Sequence, residues 1–212
     1  MLEPAVTITD FIVAAECAVV AALVLRAPSS PVRNAFLMMF AGIGTGAFAG
    51  ALVHGFFADP ASEIHVNLWL LTLASLGVMA LAGWCVGAVL LLQGKWVGIV
   101  QRVALLELLA YCIYISQYES GFAVALANYL PAVLFMMTGF ICLWRKTQAR
   151  AVLAGIAGLL LTFIGAGVQH FKLALHPVYF DHNALFHLIQ FTAIILIYIC
   201  TRHLTGAKHE TP

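Results

Sequence analysis

Charge is what this sequence has least of. Of its 212 residues, 9% are charged and 63% are hydrophobic, whereas soluble domains run at roughly 25% charged and 45–50% apolar. That excludes a soluble globular domain and predicts a polytopic membrane protein. No P-loop, dinucleotide fingerprint or nucleic-acid surface is present. The five cysteines (Cys17, Cys85, Cys112, Cys142 and Cys200) all fall inside apolar segments, with neither zinc-ribbon spacing nor a disulfide framework. They read as small packing residues between helices. The start of the chain lacks the positive charge and the small-residue cleavage site of a signal peptide, so the first apolar run reads as a retained helix. The last apolar run lacks a lysine, which excludes a retinal Schiff base there. No internal repeat is visible, and a transporter of inverted halves would want matched broken helices.

What is present is seven long apolar runs: Ile8–Leu25, Ala35–Phe57, Val66–Leu92, Trp96–Ile115, Gly121–Trp144, Ala151–Phe171 and Asn183–Thr201. A hydrocarbon core of about 30 Å takes about 20 residues of helix. The runs are continuous rather than alternating, which excludes a closed barrel. The prediction is an all-α seven-helix bundle over residues 1–204, with sequence neighbours antiparallel, Pro131 kinking the fifth helix, and a short disordered tail over 205–212. Arg26, Arg33, Lys95, Arg102, Arg145, Lys146, Arg150, Arg202 and Lys208 fall at one side of the spans and only Lys172 at the other. The positive-inside rule then gives an outside N-terminus and a cytoplasmic C-terminus, with Asp59, Glu63, Glu119 and Asp181 in outer loops.

Ionisable groups inside a membrane are costly and mark function. The densest group is Asp181-His182-Asn183-Ala184-Leu185-Phe186-His187, at the mouth of the last span. At about 1.5 Å rise per residue, His187 lies about 8 Å below that mouth. His54 lies near the outer end of the second span, and Gln169 and His170 near the outer end of the sixth. Gly42, Gly46, Gly50 and His54 recur every four residues, and a glycine stripe marks a packed helix face. Gly158, Thr162, Ala166 and His170 repeat that spacing. Asn183, His187 and Gln190 share a face at i, i+4 and i+7. Three helices are thus expected to turn an imidazole inward at one depth. Glu16 and Glu107 lie near mid-membrane, as protonated interhelical ties or as the wall of a cavity, with Tyr111 a turn beyond Glu107 as its expected partner.

Clustered membrane histidines serve three chemistries. Zinc takes three imidazoles and holds a water whose pKa falls to about 7. Haem takes two axial histidines on facing helices. Proton relays string Asp, Glu and His across the membrane. Here the imidazoles gather at one end beside carboxylates, which favours a metal, with bis-histidine haem as an alternative.

At these residues the chain resembles the superfamily of seven-helix hydrolases and receptors that includes alkaline ceramidases and adiponectin/progestin receptors. Gly50-Ala51-Leu52-Val53-His54 is similar to that family's Ser-x3-His motif on helix two. Asn183-Ala184-Leu185-Phe186-His187 is similar to its His-x3-His motif on helix seven, with Gly50 and Asn183 standing where the family has serine and histidine. The resemblance implies a zinc site on the N-terminal side of the membrane. His54 and His187 would be ligands and His170 or His182 the third, a helix starting after His182 being needed for the latter.

The expected function is zinc-dependent hydrolysis of a lipid amide or ester. In it Asp59 or Asp181 is the general base, and Asn183 or Gln190 orients the substrate carbonyl. The alternative is a non-catalytic module that binds a lipid or a partner protein, with the histidines structural. The expected partners are membrane lipids, with a second copy or another protein as the alternative and no nucleic acid. The expected location is the plasma (inner) membrane.

Overall fold

The computed structural model describes residues 2–176 and 180–206. They form seven helices: α1 (Pro4–Leu25), α2 (Pro31–Phe56), α3 (Glu63–Leu91), α4 (Lys95–Gln117), α5 (Phe122–Thr147), α6 (Arg150–His170) and α7 (His182–Gly206). Each is long and apolar enough to cross a membrane, and the chain has the fold of a multi-pass membrane protein. Most helices run a few residues beyond the apolar runs, because caps and polar first turns extend them past the hydrocarbon. Ser30 Oγ accepts from Arg33 N (3.1 Å) and Ser62 Oγ from His65 N (3.2 Å), satisfying backbone donors that a helix start leaves open. Pro31 stands in the first turn of α2, where no backbone donor is needed. α7 continues through Thr205 and Gly206. The rest of the expected tail, with Lys208 and His209, lies outside the described residues.

Six of the helices close a ring in the order α1–α2–α3–α5–α6–α7, and α7 packs back on α1. α4 packs on α3 outside the ring. Sequence neighbours alternate in direction, so α3 and α5 lie side by side and run the same way. Their contact is close: a Cβ on Gly83 would sit 3.4 Å from Ala132, just beyond Pro131, through which α5 runs as one helix. Tyr111 of α4 donates to the Leu73 carbonyl of α3 at 3.1 Å, so its hydroxyl ties α4 to the ring rather than serving Glu107.

The ring is filled at the end that carries most of the lysines and arginines. Phe36 and Phe40 of α2 and Phe140 of α5 are fully buried there, with ring centroids 6.4 and 6.5 Å apart. At the opposite end, where α1 begins, Phe122 of α5 and Phe186 of α7 meet edge to face at 6.4 Å in the wall of an open interior. There the α1 N-terminus is stitched to the end of α2: Leu2 N donates to Gly55 O and Glu3 N to His54 O, both at 3.3 Å.

Candidate functional site: a cavity with one polar end

The interior of the ring holds a cavity of about 180 Å³, lined by α1, α2, α3, α5, α6 and α7 and by nothing from α4. On α7 the lining runs from Asn183 to Ile197, about 21 Å at the helical rise, so the space is long and narrow. Its deep part is apolar, with Met39, Met136 and Ile197. Methionine side chains adapt to irregular gaps. The polar groups collect at the other end: Asp10, His54, Gln169, Asn183, His187 and Gln190.

His187 is held from α1. Its Nε2 lies 3.1 Å from Asp10 Oδ1 and its Nδ1 3.0 Å from Thr9 Oγ1. Asp10 is only 4% exposed. Proton accounting constrains this trio. The single hydroxyl hydrogen of Thr9 points back to α1 carbonyls, Ala5 O at 2.9 Å and Val6 O at 3.0 Å, as helical threonines often do. With that hydrogen so spent, Nδ1 is the donor to Thr9, and one proton shared between Nε2 and the Asp10 carboxyl would complete the contact. Whichever of the two holds that proton, the pair is neutral overall, which suits an apolar surround.

Gly50 makes room for this arrangement. A Cβ there would lie 3.1 Å from Asp10 Oδ2. The glycine that stands where the resembling family has serine thus faces the carboxyl that α1 brings in.

Around the trio, Gln169 Nε2 donates to Asn183 Oδ1 at 2.6 Å, tying α6 to α7. The other end of that amide is open: Gln169 Oε1 is buried and has no partner. A buried acceptor without a donor calls for one from elsewhere. His54 accepts or donates at Nδ1 with Glu3 Oε2, 2.7 Å away and half-exposed. An exposed pair of this kind adds little stability.

The residues expected from sequence separate into two groups. His54, His187, Asn183 and Gln190 do meet at one cavity. His170, His182, Asp59 and Asp181 lie outside its lining. His170 is exposed at the end of α6, its ring edge-on to Phe171 at 5.0 Å. Asp181 caps α7, its Oδ1 accepting from Ala184 N at 2.9 Å. His182 therefore opens the helix, five residues and about 140° from His187 on a helix of 3.6 residues per turn. Asp59 is exposed in the α2–α3 turn, its Oδ1 accepting from Ala61 N at 3.0 Å.

The zinc expectation can be tried against these side chains. Among the described residues, no three of His, Cys, Asp and Glu stand close enough to hold one metal ion. His187 has both nitrogens engaged, and the nearest carboxyl to it is Asp10, on its own ring nitrogen. His54 and His187 share the cavity wall, and a three-ligand zinc centre would need a third side chain brought to them.

Asp10 and Thr9 are the partners of His187 that sequence patterns did not single out. The signal was available: Asp10 is a carboxyl inside the first apolar run, six residues into α1 and so about 9 Å deep, the depth of His187.

No curated protein matches the chain. One family model matches residues 5–205, and the chain belongs to that family, a family of unknown function (DUF6962).

Proposed function

We propose that this protein takes one lipid-like amphiphile into the helix ring, with the polar head at the Asp10–His187–Gln169 end and the apolar part along the methionine-lined depth. The observation that carries this is a largely apolar cavity whose polar side chains, Asp10, Gln169 and Asn183 among them, gather at one end, where Gln169 Oε1 is buried without a donor. Acceptor oxygens in that wall, one of them without a donor, ask for a head with donors, such as a hydroxyl or an amide N–H. A site built to bond a donor discriminates strongly against an analogue that lacks it. Equilibrium binding to the detergent-purified chain tests this. A hydroxyethyl fatty amide should bind at least about tenfold tighter than the methyl ester of the same acid, a difference of about 1.4 kcal/mol. Equal binding would refute the reading.

A second reading is hydrolysis of that amide or of an ester. Asp10 and His187, 3.1 Å apart, support it as a proton-exchanging pair. Water adds to the head's carbonyl as Asp10 Oδ2 takes its proton and the proton shared at Oδ1 moves fully to His187 Nε2. The pair then returns the proton to the leaving nitrogen or oxygen as the C–N or C–O bond breaks. The resemblance to seven-helix lipid hydrolases is in keeping with such chemistry. Zinc, which the resemblance brings with it, would need a third ligand beside His54 and His187. The purified protein is expected to hold well below one zinc per chain by elemental mass spectrometry. One zinc per chain, lost in His54→Ala, would overturn the metal-free reading.

We place the N-terminal end outside and the C-terminus in the cytoplasm, at the plasma (inner) membrane. The asymmetry of basic residues supports the orientation: Arg26, Arg33, Lys95, Arg102, Arg145, Lys146, Arg150 and Arg202 flank one end of the helices and Lys172 the other.

A further inference from the structure

A second cavity lies on the outside of the ring, in the seam between α1 and α7. It measures about 150 Å³ and is lined by Thr9, Ile12, Val13, His187, Leu188 and Phe191. Its rim faces the membrane: Ile12 is 48% and Leu188 51% exposed. On α1 these residues lie about 8–14 Å from the start of the helix, the depth of the outer acyl chains in a core of about 30 Å. A dry apolar cavity of about 150 Å³ admits a benzene-sized group, so the groove has room for a short run of methylenes.

His187 lines both this groove and the central cavity. The imidazole is therefore the wall between the bilayer and the interior of the ring. What holds that wall shut is the contact of its two ring nitrogens with Thr9 and Asp10, both across the same seam. α1 also packs less extensively on α7 than on α2, which makes this the weaker of its two seams.

We propose that an acyl chain of a bilayer lipid seats in the α1–α7 groove and passes into the cavity beside His187, which swings as a gate. This rests on the amphiphile reading above and adds the route. The chain slides in sideways from the hydrocarbon, so its methylenes never cross water. The head follows from the interface and meets Asp10 and Gln169 at the end where the polar groups stand.

The test is photolabelling of the full chain in phosphatidylcholine vesicles with a diazirine-bearing hydroxyethyl fatty amide. Wild type should be labelled on the groove (Ile12, Leu188) and on the cavity wall (Met39, Met136). Leu188→Trp and Ile12→Trp fill the groove from exposed positions, so both should fold. Each should lower cavity labelling about tenfold while labelling of the outer face of α4, at Leu106 and Leu109, stays unchanged. Undiminished cavity labelling in both variants overturns the lateral route and leaves the amphiphile reading standing. No cavity labelling in wild type overturns both.

Discussion

Asp10→Ala should reduce binding of the hydroxyethyl amide by tenfold or more, which is about 1.4 kcal/mol. It should also cost about 1–3 kcal/mol of stability, the penalty for a buried polar group left without its partner. Two things go at once. The alanine removes an acceptor from the polar end of the cavity, and it strands His187 Nε2, whose only partner there is Asp10 Oδ1 at 3.1 Å. Asp10→Asn separates the effects. Its amide NH2 can donate to Nε2 and keep the imidazole in place, so melting should stay near wild type. Its oxygen remains a weaker acceptor and cannot exchange a proton, so binding should fall less than in Asp10→Ala, and any hydrolysis should stop. If Asp10 served only as a structural tie, binding would follow stability in both variants and Asp10→Asn would bind normally. Thermal melting and equilibrium binding on the same preparations decide between these outcomes.

Gly158→Leu should be among the most destabilising single changes in the chain. Water does not drive helices together inside a membrane, so close packing of small residues does. At Gly158 a Cβ would stand 2.8 Å from Ala193 O and 3.1 Å from Ile197 N. Both are backbone atoms of α7, and neither can turn aside as a side chain would. α6 and α7 would have to separate along a seam that also carries the Gln169–Asn183 hydrogen bond. Overpacking costs about 1–3 kcal/mol, occasionally more, and a rigid backbone neighbour belongs at the upper end. Gly167 supplies the control in the same helix, since a Cβ there meets nothing within 4 Å. Gly167→Leu should melt like wild type, and Gly158→Leu should melt far lower or fail to purify as a single species. Equal melting of the two would mean that α6 and α7 are not packed as described.

The seven helices could be read from the sequence because each apolar run is long enough to span, and hydrophobic length is a local property. The order of packing is not local. Nothing in the run Trp96–Ile115 announces that α4 stands outside the ring while α3 meets α5. The site was half legible. His54, His187, Asn183 and Gln190 follow from helical phase, because a helix fixes which residues share a face. His170 and His182 sit at helix ends, where one residue more or less of helix redirects a side chain, and both fall outside the cavity. Asp59 and Asp181 have the chemistry of a base but spend their oxygens on local backbone donors, Ala61 N and Ala184 N. Asp10 needed the opposite inference: an acid within an apolar run, at the depth of a histidine 177 positions away, is a candidate partner for it. The glycine stripe on α2 divides in use. Gly42 meets the backbone of α3, whereas Gly50 faces Asp10, a distinction no spacing rule contains.

The most direct test is an experimental structure of the chain in lipid with the hydroxyethyl fatty amide present. One amphiphile should lie inside the ring, its head donating to Gln169 Oε1 or Asp10 and its chain reaching toward Met39 and Met136. A cavity holding only water or collapsed side chains, with the amide confined to the outer surface of the bundle, would contradict the account.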